Sequence, residues 1–324
     1  AKQDSFGAHH LRAEVMRAKG VLLRYVGRTE DAVKSYVDAL AVFRAVGARR
    51  SEARVMTSLA FAMFVLERFE DVIALGLESV KIDLSIGGRF QIAKTLSNVG
   101  QAYARLGDLG RGLSFLRRAR EAHERYADQD SRADTLLCTA GILLEAGDVD
   151  AAHTLAGDAG ALVAVTGSVY DFVNERIIRA CLARLAGDAP SAIAFASEAR
   201  QTAEAQALMS FHIYATAVEA AARVDAGEHH TGVLLARTAF GAIENVGGSE
   251  YGIEVRALAC DAIRRGSPST ADDAYNRAAN HVRKVAGFIR DPELKRMFLG
   301  RSIVDRILVE ADESFGGAES RAGR

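Results

Sequence analysis

The chain has 324 residues, 49% of them hydrophobic and 26% charged, with 3 prolines and a formal net charge of -1. This composition excludes disordered and collagen-like chains, and the near-neutral balance lacks the basic excess a general nucleic-acid binder uses against phosphates. No apolar run reaches the roughly 18 residues of a membrane span and the start lacks the order of a secretion signal, so neither nucleic acid nor membrane is expected as a partner. Three cysteines, Cys138, Cys181 and Cys260, are odd in number and widely spaced. They suggest neither a disulfide framework nor a metal clip, and a reducing cytoplasm is the expected compartment.

A glycine recurs on a 40-residue grid, at Gly27, Gly107, Gly147, Gly187 and Gly227, with Glu67 in the vacant slot. Self-similarity at this period predicts one supersecondary unit copied along the chain, each unit burying its apolar face against its neighbours. First helices are expected near 9–25, 50–66, 90–106, 131–146, 171–186, 210–226 and 250–265. Second helices are expected near 29–46, 69–86, 109–126, 149–166, 189–206, 229–246 and 269–289. Gly47, Gly87, Gly167 and Gly247 fall where left-handed residues would end second helices, and the seventh unit slips by one residue to Gly266. The repeats thus run near 9–47, 50–87, 90–127, 131–167, 171–207, 210–247 and 250–289, within a solenoid over 1–289.

Small residues form a second periodic signal. Gly20, Ala60, Gly100, Ala140, Ala180 and Ala220 advance by 40 in the first helices, as do Ala32, Val72, Gly112, Ala152, Ala192 and Gly232 in the second. Ala39, Ser79, Ala119, Ala159, Ala199 and Ala239 form a third series. Small side chains at matched places let the two helices of a hairpin approach closely.

After the repeats, Asp291-Pro292-Glu293 is a helix start, with an acid at the cap and proline in the first turn. Gly300 is expected to interrupt, and Ser302 with Asp305 is similar to a capping box opening a second short helix. Residues 290–313 are therefore expected to be a helical cap and 314–324 a flexible tail. A start at Ala1 without methionine suggests a C-terminal piece of a longer chain.

Val99-Gly100-x2-Tyr103, Ala32-x3-Tyr36 and Ala271-x3-Tyr275 resemble the tetratricopeptide repeat, whose signature is Leu-Gly-x2-Tyr in the first helix and Ala-x3-Phe in the second. The chain departs from that pattern in lacking tryptophan and the repeat-closing proline, and in its 40-residue unit. The longer unit resembles the Leu-Gly-Asn and kinesin-light-chain variety, with Ser97-Asn98-Val99-Gly100 close to its Asn-Leu-Gly core. HEAT and armadillo repeats share the period but not the small-residue seam. The resemblance implies an all-α, right-handed α-solenoid of about seven hairpins with a C-terminal cap. The stretch from Ile289 to Leu308 is similar to C-terminal ends of large bacterial signalling proteins that join a kinase or signalling ATPase to a tetratricopeptide sensor.

No phosphate-binding, dinucleotide, zinc-protease or nucleophile-elbow motif is present, so no enzyme and no cofactor are expected. Asp128, Asp130 and Asp134 lack the glycine and the twelfth-position glutamate of a calcium loop. The family lines its concave surface with first helices. Carried over, that implies an inner wall of Arg17, Arg24, Arg54, Lys94, Asn98, Gln101 and Arg105, continuing into an apolar stretch at Ile177, Ile178, Cys181, Val218 and Ala221. Arginine forks pair with carboxylates and asparagine meets both amide groups of an extended strand, so the wall suits a peptide or partner protein. The alternative is that these arginines are solvated helix faces satisfied by acids such as Glu14 and Asp134. The expected function is a non-enzymatic scaffold binding a peptide or partner in its groove, the alternative a regulatory sensor joined to an N-terminal kinase or ATPase domain.

Overall fold

The computed structural model describes the backbone of residues 2–88, 91–126 and 131–322, and the side chains of residues 7–88, 91–125 and 131–312. Among the described residues there are sixteen α-helices, one 3₁₀ turn at Pro268–Thr270, and no strand. The helices fall into seven successive hairpins from α1 (Lys2–Tyr25) with α2 (Thr29–Ala45) to α13 (Gly252–Gly266) with α14 (Ala271–Phe288), followed by α15 (Pro292–Leu299) and α16 (Ser302–Ala322). The chain is an all-α solenoid. It divides into two compact units, Ala1–Thr135 with Val246–Glu250, and Leu136–Asn245 with Tyr251–Arg324. No helix among the described residues is long and apolar enough to cross a membrane.

The first six hairpins turn at their grid residues, whereas the seventh turns through Pro268–Thr270, and Gly266, where the slipped turn is expected, ends α13 without a left-handed φ. Gly27, Gly107, Gly147, Gly187 and Gly227 all take positive φ, between 75° and 87°. The turn requires this geometry whatever residue occupies it, so Glu67 is forced to φ 56° in the vacant slot. After Gly147 and Gly187 the next residue caps the second helix: Asp148 accepts from the Ala151 amide at 3.2 Å and Asp188 from the Ser191 amide at 3.1 Å. Such caps satisfy orphan amides of the first turn.

The second glycine series holds at Gly47, Gly87 and Gly167, all with positive φ, and Ala207 takes φ 54° in its slot. At its last position the series slips: Gly248, not Gly247, carries the positive φ. A Cβ on Gly247 would stand 1.9 Å from the Gly27 carbonyl oxygen, so the first unit's turn backbone occupies the space a side chain would need.

Packing between paired helices follows the small-residue series. A Cβ on Gly100 would lie 2.8 Å from the Gly112 carbonyl oxygen and 2.8 Å from Leu116, and one on Gly20 2.5 Å from the Tyr36 ring. Ala32, Ala119, Ala152, Ala192 and Ala199 have no solvent exposure. In the first unit α3 (Arg49–Val65), α4 (Phe69–Ser85) and α5 (Ile92–Arg105) also share a buried polar knot. Thr57 Oγ1 lies 3.1 Å from both Ser79 Oγ and Thr95 Oγ1, and Ser79 donates to the Ala53 carbonyl at 2.9 Å. These hydroxyls satisfy one another without water.

In the second unit the C-terminal helices are fastened by one buried arginine. Asp291 caps α15, accepting from the Glu293 and Leu294 amides at 2.8 and 3.2 Å, and α15 ends before Gly300. Arg301 follows, buried, gripping both oxygens of Glu145 at 2.9 Å and Glu254 Oε1 at 3.0 Å. A planar fork between two carboxylates uses arginine's fixed geometry as lysine could not. Where a short helix and a flexible tail from residue 314 are expected, α16 continues as helix to Ala322.

The seam and the turns make opposite predictions for small changes. Gly100→Ala should lower stability by about 1–3 kcal/mol by forcing α5 from its partner. Ala207→Gly, at an exposed position, should raise it by about 0.5–1 kcal/mol by relieving the left-handed backbone. Urea titrations of the two variants measure both; changes of the same sign would contradict this account of the packing.

Candidate functional site

In the first unit α1, α3 and α5 neighbour one another in order and carry the residues expected to line an inner wall. Glu14, Arg54, Lys94 and Asp134 occupy equivalent positions 40 residues apart, one series along successive first helices. Within it Glu14 binds Arg54, accepts from Arg17 Nε at 3.0 Å, and accepts from Ser51 Oγ at 3.1 Å. Partial burial of Glu14 works against its charge, but Arg17 and Arg54 outweigh it and hold the carboxyl below its usual range. Arg17 and Arg54 are therefore fixed by an acid of the wall itself.

Arg24 is held by aromatic rings, with its guanidinium carbon 4.8 Å from the centroids of both Tyr25 and Phe61. Lys94 is exposed. Gln101 Nε2 donates to Ser97 Oγ at 3.4 Å, which leaves its amide on the wall, and Arg105 is half-buried at the end of α5. Two donors have no acceptor: Arg54 Nε and Asn98 Nδ2, each buried as an atom. Asn98 is 7% exposed, so its lone amide costs the fold more than a surface amide would.

No motif or period marks Glu250, which belongs to this unit through the segment Val246–Glu250. Burial pushes its carboxyl up to about 7, while Arg24 and Arg105 act in the opposite direction and Asp134 adds to the rise. Its place depends on the slipped glycine pair before it, and that slip has no counterpart on the 40-residue grid.

In the second unit, Ile177 and Ile178 are 0% and 4% exposed and sit in two core clusters of α7 to α11. This corrects the expectation that they face a groove: both side chains are spent on packing and leave no surface for a partner. Cys181 packs beside the first cluster and is half-buried. Burial pushes its thiol up, against the pull of Arg184. Sequence periodicity cannot separate a groove-facing apolar residue from a core one when both lie on first helices.

Asp128 and Asp130 lie outside the described residues. Among the described residues, no group of three or more His, Cys, Asp or Glu side chains is placed to hold a metal ion.

No protein-family model matches this sequence, and no curated protein matches it either. Solved structures do resemble it. A signal transduction ATPase with numerous domains (STAND) from Pyrococcus horikoshii, with a tetratricopeptide repeat sensor, is 14% identical with a TM-score of 0.54. The match covers 94% of this chain and 47% of that one, so the chain spans less than half of that protein. A Rap protein in complex with Competence and Sporulation Factor is 11% identical with a TM-score of 0.57, over 95% of this chain and 99% of that one. At such identities the likeness concerns architecture alone, and with the hairpins and seam described above it makes this fold a tetratricopeptide-like helical repeat.

Proposed function

We propose that the chain is a non-enzymatic interaction module that holds an extended peptide of a partner protein against α1, α3 and α5. The observation carrying this reading is the pair of unpaired donors, Arg54 Nε and Asn98 Nδ2, on the wall where acceptors of a bound backbone would lie. A buried donor left alone costs about 1–3 kcal/mol, which rotation of the side chain onto a ligand carbonyl would recover. Arg17, Arg24, Lys94, Gln101 and Arg105 add donors that favour acidic peptides. Cys181 is left to the second unit's packing. Likeness to the Rap protein, solved in complex with Competence and Sporulation Factor, supports the same reading.

A second reading is favoured by the likeness to the STAND protein: the solenoid would be the sensor of a larger signalling ATPase or kinase, with the peptide as its signal. A reading frame encoding a nucleotide-binding domain before Ala1 would support it, and a free-standing frame would remove it. We assign the repeat to the 40-residue Leu-Gly-Asn-like variety on its spacing, and the protein to a reducing cytoplasm on its three free cysteines.

Selection of random peptides displayed on phage, followed by titration of the recovered sequences, tests the proposal. Asn98→Leu should weaken the selected peptides about tenfold, roughly 1.4 kcal/mol, while raising the melting temperature because an unpaired amide is removed. Peptides bound equally by wild type and Asn98→Leu would overturn the assignment of the wall.

Glu250 gives the wall a pH dependence. Its folded-state affinity for a proton exceeds that of the unfolded chain, so stability is highest at low pH and falls as pH rises through the window from the ordinary carboxyl value to about 7. Above that window its charge also competes with an incoming carboxylate for Arg24 and Arg105. Glu250→Gln should flatten the fall in melting temperature between about pH 5 and pH 8, and should tighten acidic peptides at the upper end. An unchanged slope would show that Glu250 titrates as an ordinary surface acid.

A further inference from the structure

Away from the wall, the second unit contains a cleft of about 410 Å³ between α8 (Val149–Thr166), α9 (Val169–Leu185) and α10 (Ala189–Ala205). Its α8 side is made of small residues, among them Gly160, Ala161 and Ala164, and its mouth carries Val169 and Phe172 of α9. At 100° per residue, Phe172, Glu175, Arg176 and Arg179 share one face of α9, opposite Ile177, Ile178 and Cys181. The cleft therefore lies on the side of α9 away from those three residues, with Phe172 packed at the edge of the core.

Its floor is charged, and the charges are unequally committed. Glu175 is buried, accepting from Arg179 Nε on one oxygen and from Arg176 Nη1 at 3.1 Å on the other. Arg176 is the more committed of the two: its Nε lies 2.8 Å from a Glu198 oxygen without hydrogen-bond geometry, and its guanidinium carbon lies 4.7 Å from the Phe172 ring and 5.6 Å from the Phe195 ring. The Arg179 side chain is 38% exposed and its contact with Glu175 runs through Nε. Its Nη2 lies 3.1 Å from where a Cβ on Gly160 would stand. Glycine at 160 thus leaves room for the guanidinium to lie along α8, anchored from behind by a buried carboxylate.

We infer that this cleft binds a small amphipathic carboxylate, with its acid group on the terminal nitrogens of Arg179 and its apolar body along Gly160, Ala161, Ala164, Val169 and Phe172. A planar guanidinium already held on one edge offers its other donors in a fixed orientation, which suits a carboxylate better than a single hydroxyl. The volume falls at the small end of ligand sites, enough for a short acyl chain or two apolar amino-acid side chains. The acid could be supplied by a free short-chain fatty acid or by the C-terminal carboxylate of an apolar peptide, which share the recognising chemistry.

Calorimetric titration of the intact chain with octanoate and, separately, with N-acetyl-leucyl-leucine tests the inference and distinguishes the two sources; octanol is the control without charge. Binding tighter than about 1 mM by at least one acid, with octanol at least tenfold weaker, is expected. Arg179→Gln should lose tenfold or more. That change also removes one partner of Glu175, so Ala164→Phe, at an exposed position on the α8 wall, provides an independent block and should abolish binding with an unchanged melt. Absence of binding by both acids, equal binding of octanol, or full binding by Ala164→Phe would each overturn the assignment.

Discussion

The structure depends on how closely two helices of a hairpin can approach. At Gly100 and Gly112 the backbone of one helix lies within 3.0 Å of where the other's Cβ would be, a separation that only glycine allows. Elsewhere the equivalent positions are mostly alanines, buried at Ala32, Ala140, Ala152, Ala180 and Ala192, and larger residues such as Tyr36, Leu116 and Phe240 fill the space beside them. Stability of this kind is a sum of local interfaces, and it does not need a central core. The turn residues follow from it, since a short connection between helices that close forces a left-handed residue even where Glu67 or Ala207 must supply it.

Against that regular background the polar groups fall into two classes. Some are closed on themselves: the Thr57, Ser79 and Thr95 hydroxyls, and Arg301 between Glu145 and Glu254. These hold helices together, and each donor has its acceptor. Others are left open, among them Asn98 Nδ2 and Arg54 Nε on the first unit's wall, the Nε atoms of Arg132, Arg176 and Arg264, and the outward edge of Arg179 in the second unit. Buried donors without acceptors lower stability, and a fold this regular has no structural need for them.

Much of the scaffold was legible in the sequence, because the constraint behind it is periodic. The 40-residue glycine and alanine series located the turns and the seam, and Asp291-Pro292 located the start of α15. Departures from period were invisible. Nothing in the grid indicated that Gly247 would be pressed on the Gly27 carbonyl, that Glu250 would join the first unit, or that Arg301 would find Glu145 at a sequence distance of 156 residues. Of the wall, Glu14 as partner of the arginines was readable from charge, whereas the burial of Ile177 and Ile178 was not, since it depends on which neighbouring helix covers them.

The close approach at the seam can be tested within one helix. Ala199 and Ala194 both lie in α10, the first with no exposure and the second exposed, so replacing either by valine carries the same intrinsic helix penalty of about 0.5 kcal/mol. Denaturant unfolding of the two variants is expected to show Ala199→Val losing about 1–3 kcal/mol more than Ala194→Val, as overpacking of a filled interface requires. Equal losses would mean that the helices have room to spare there, and would contradict the packing on which the whole arrangement rests.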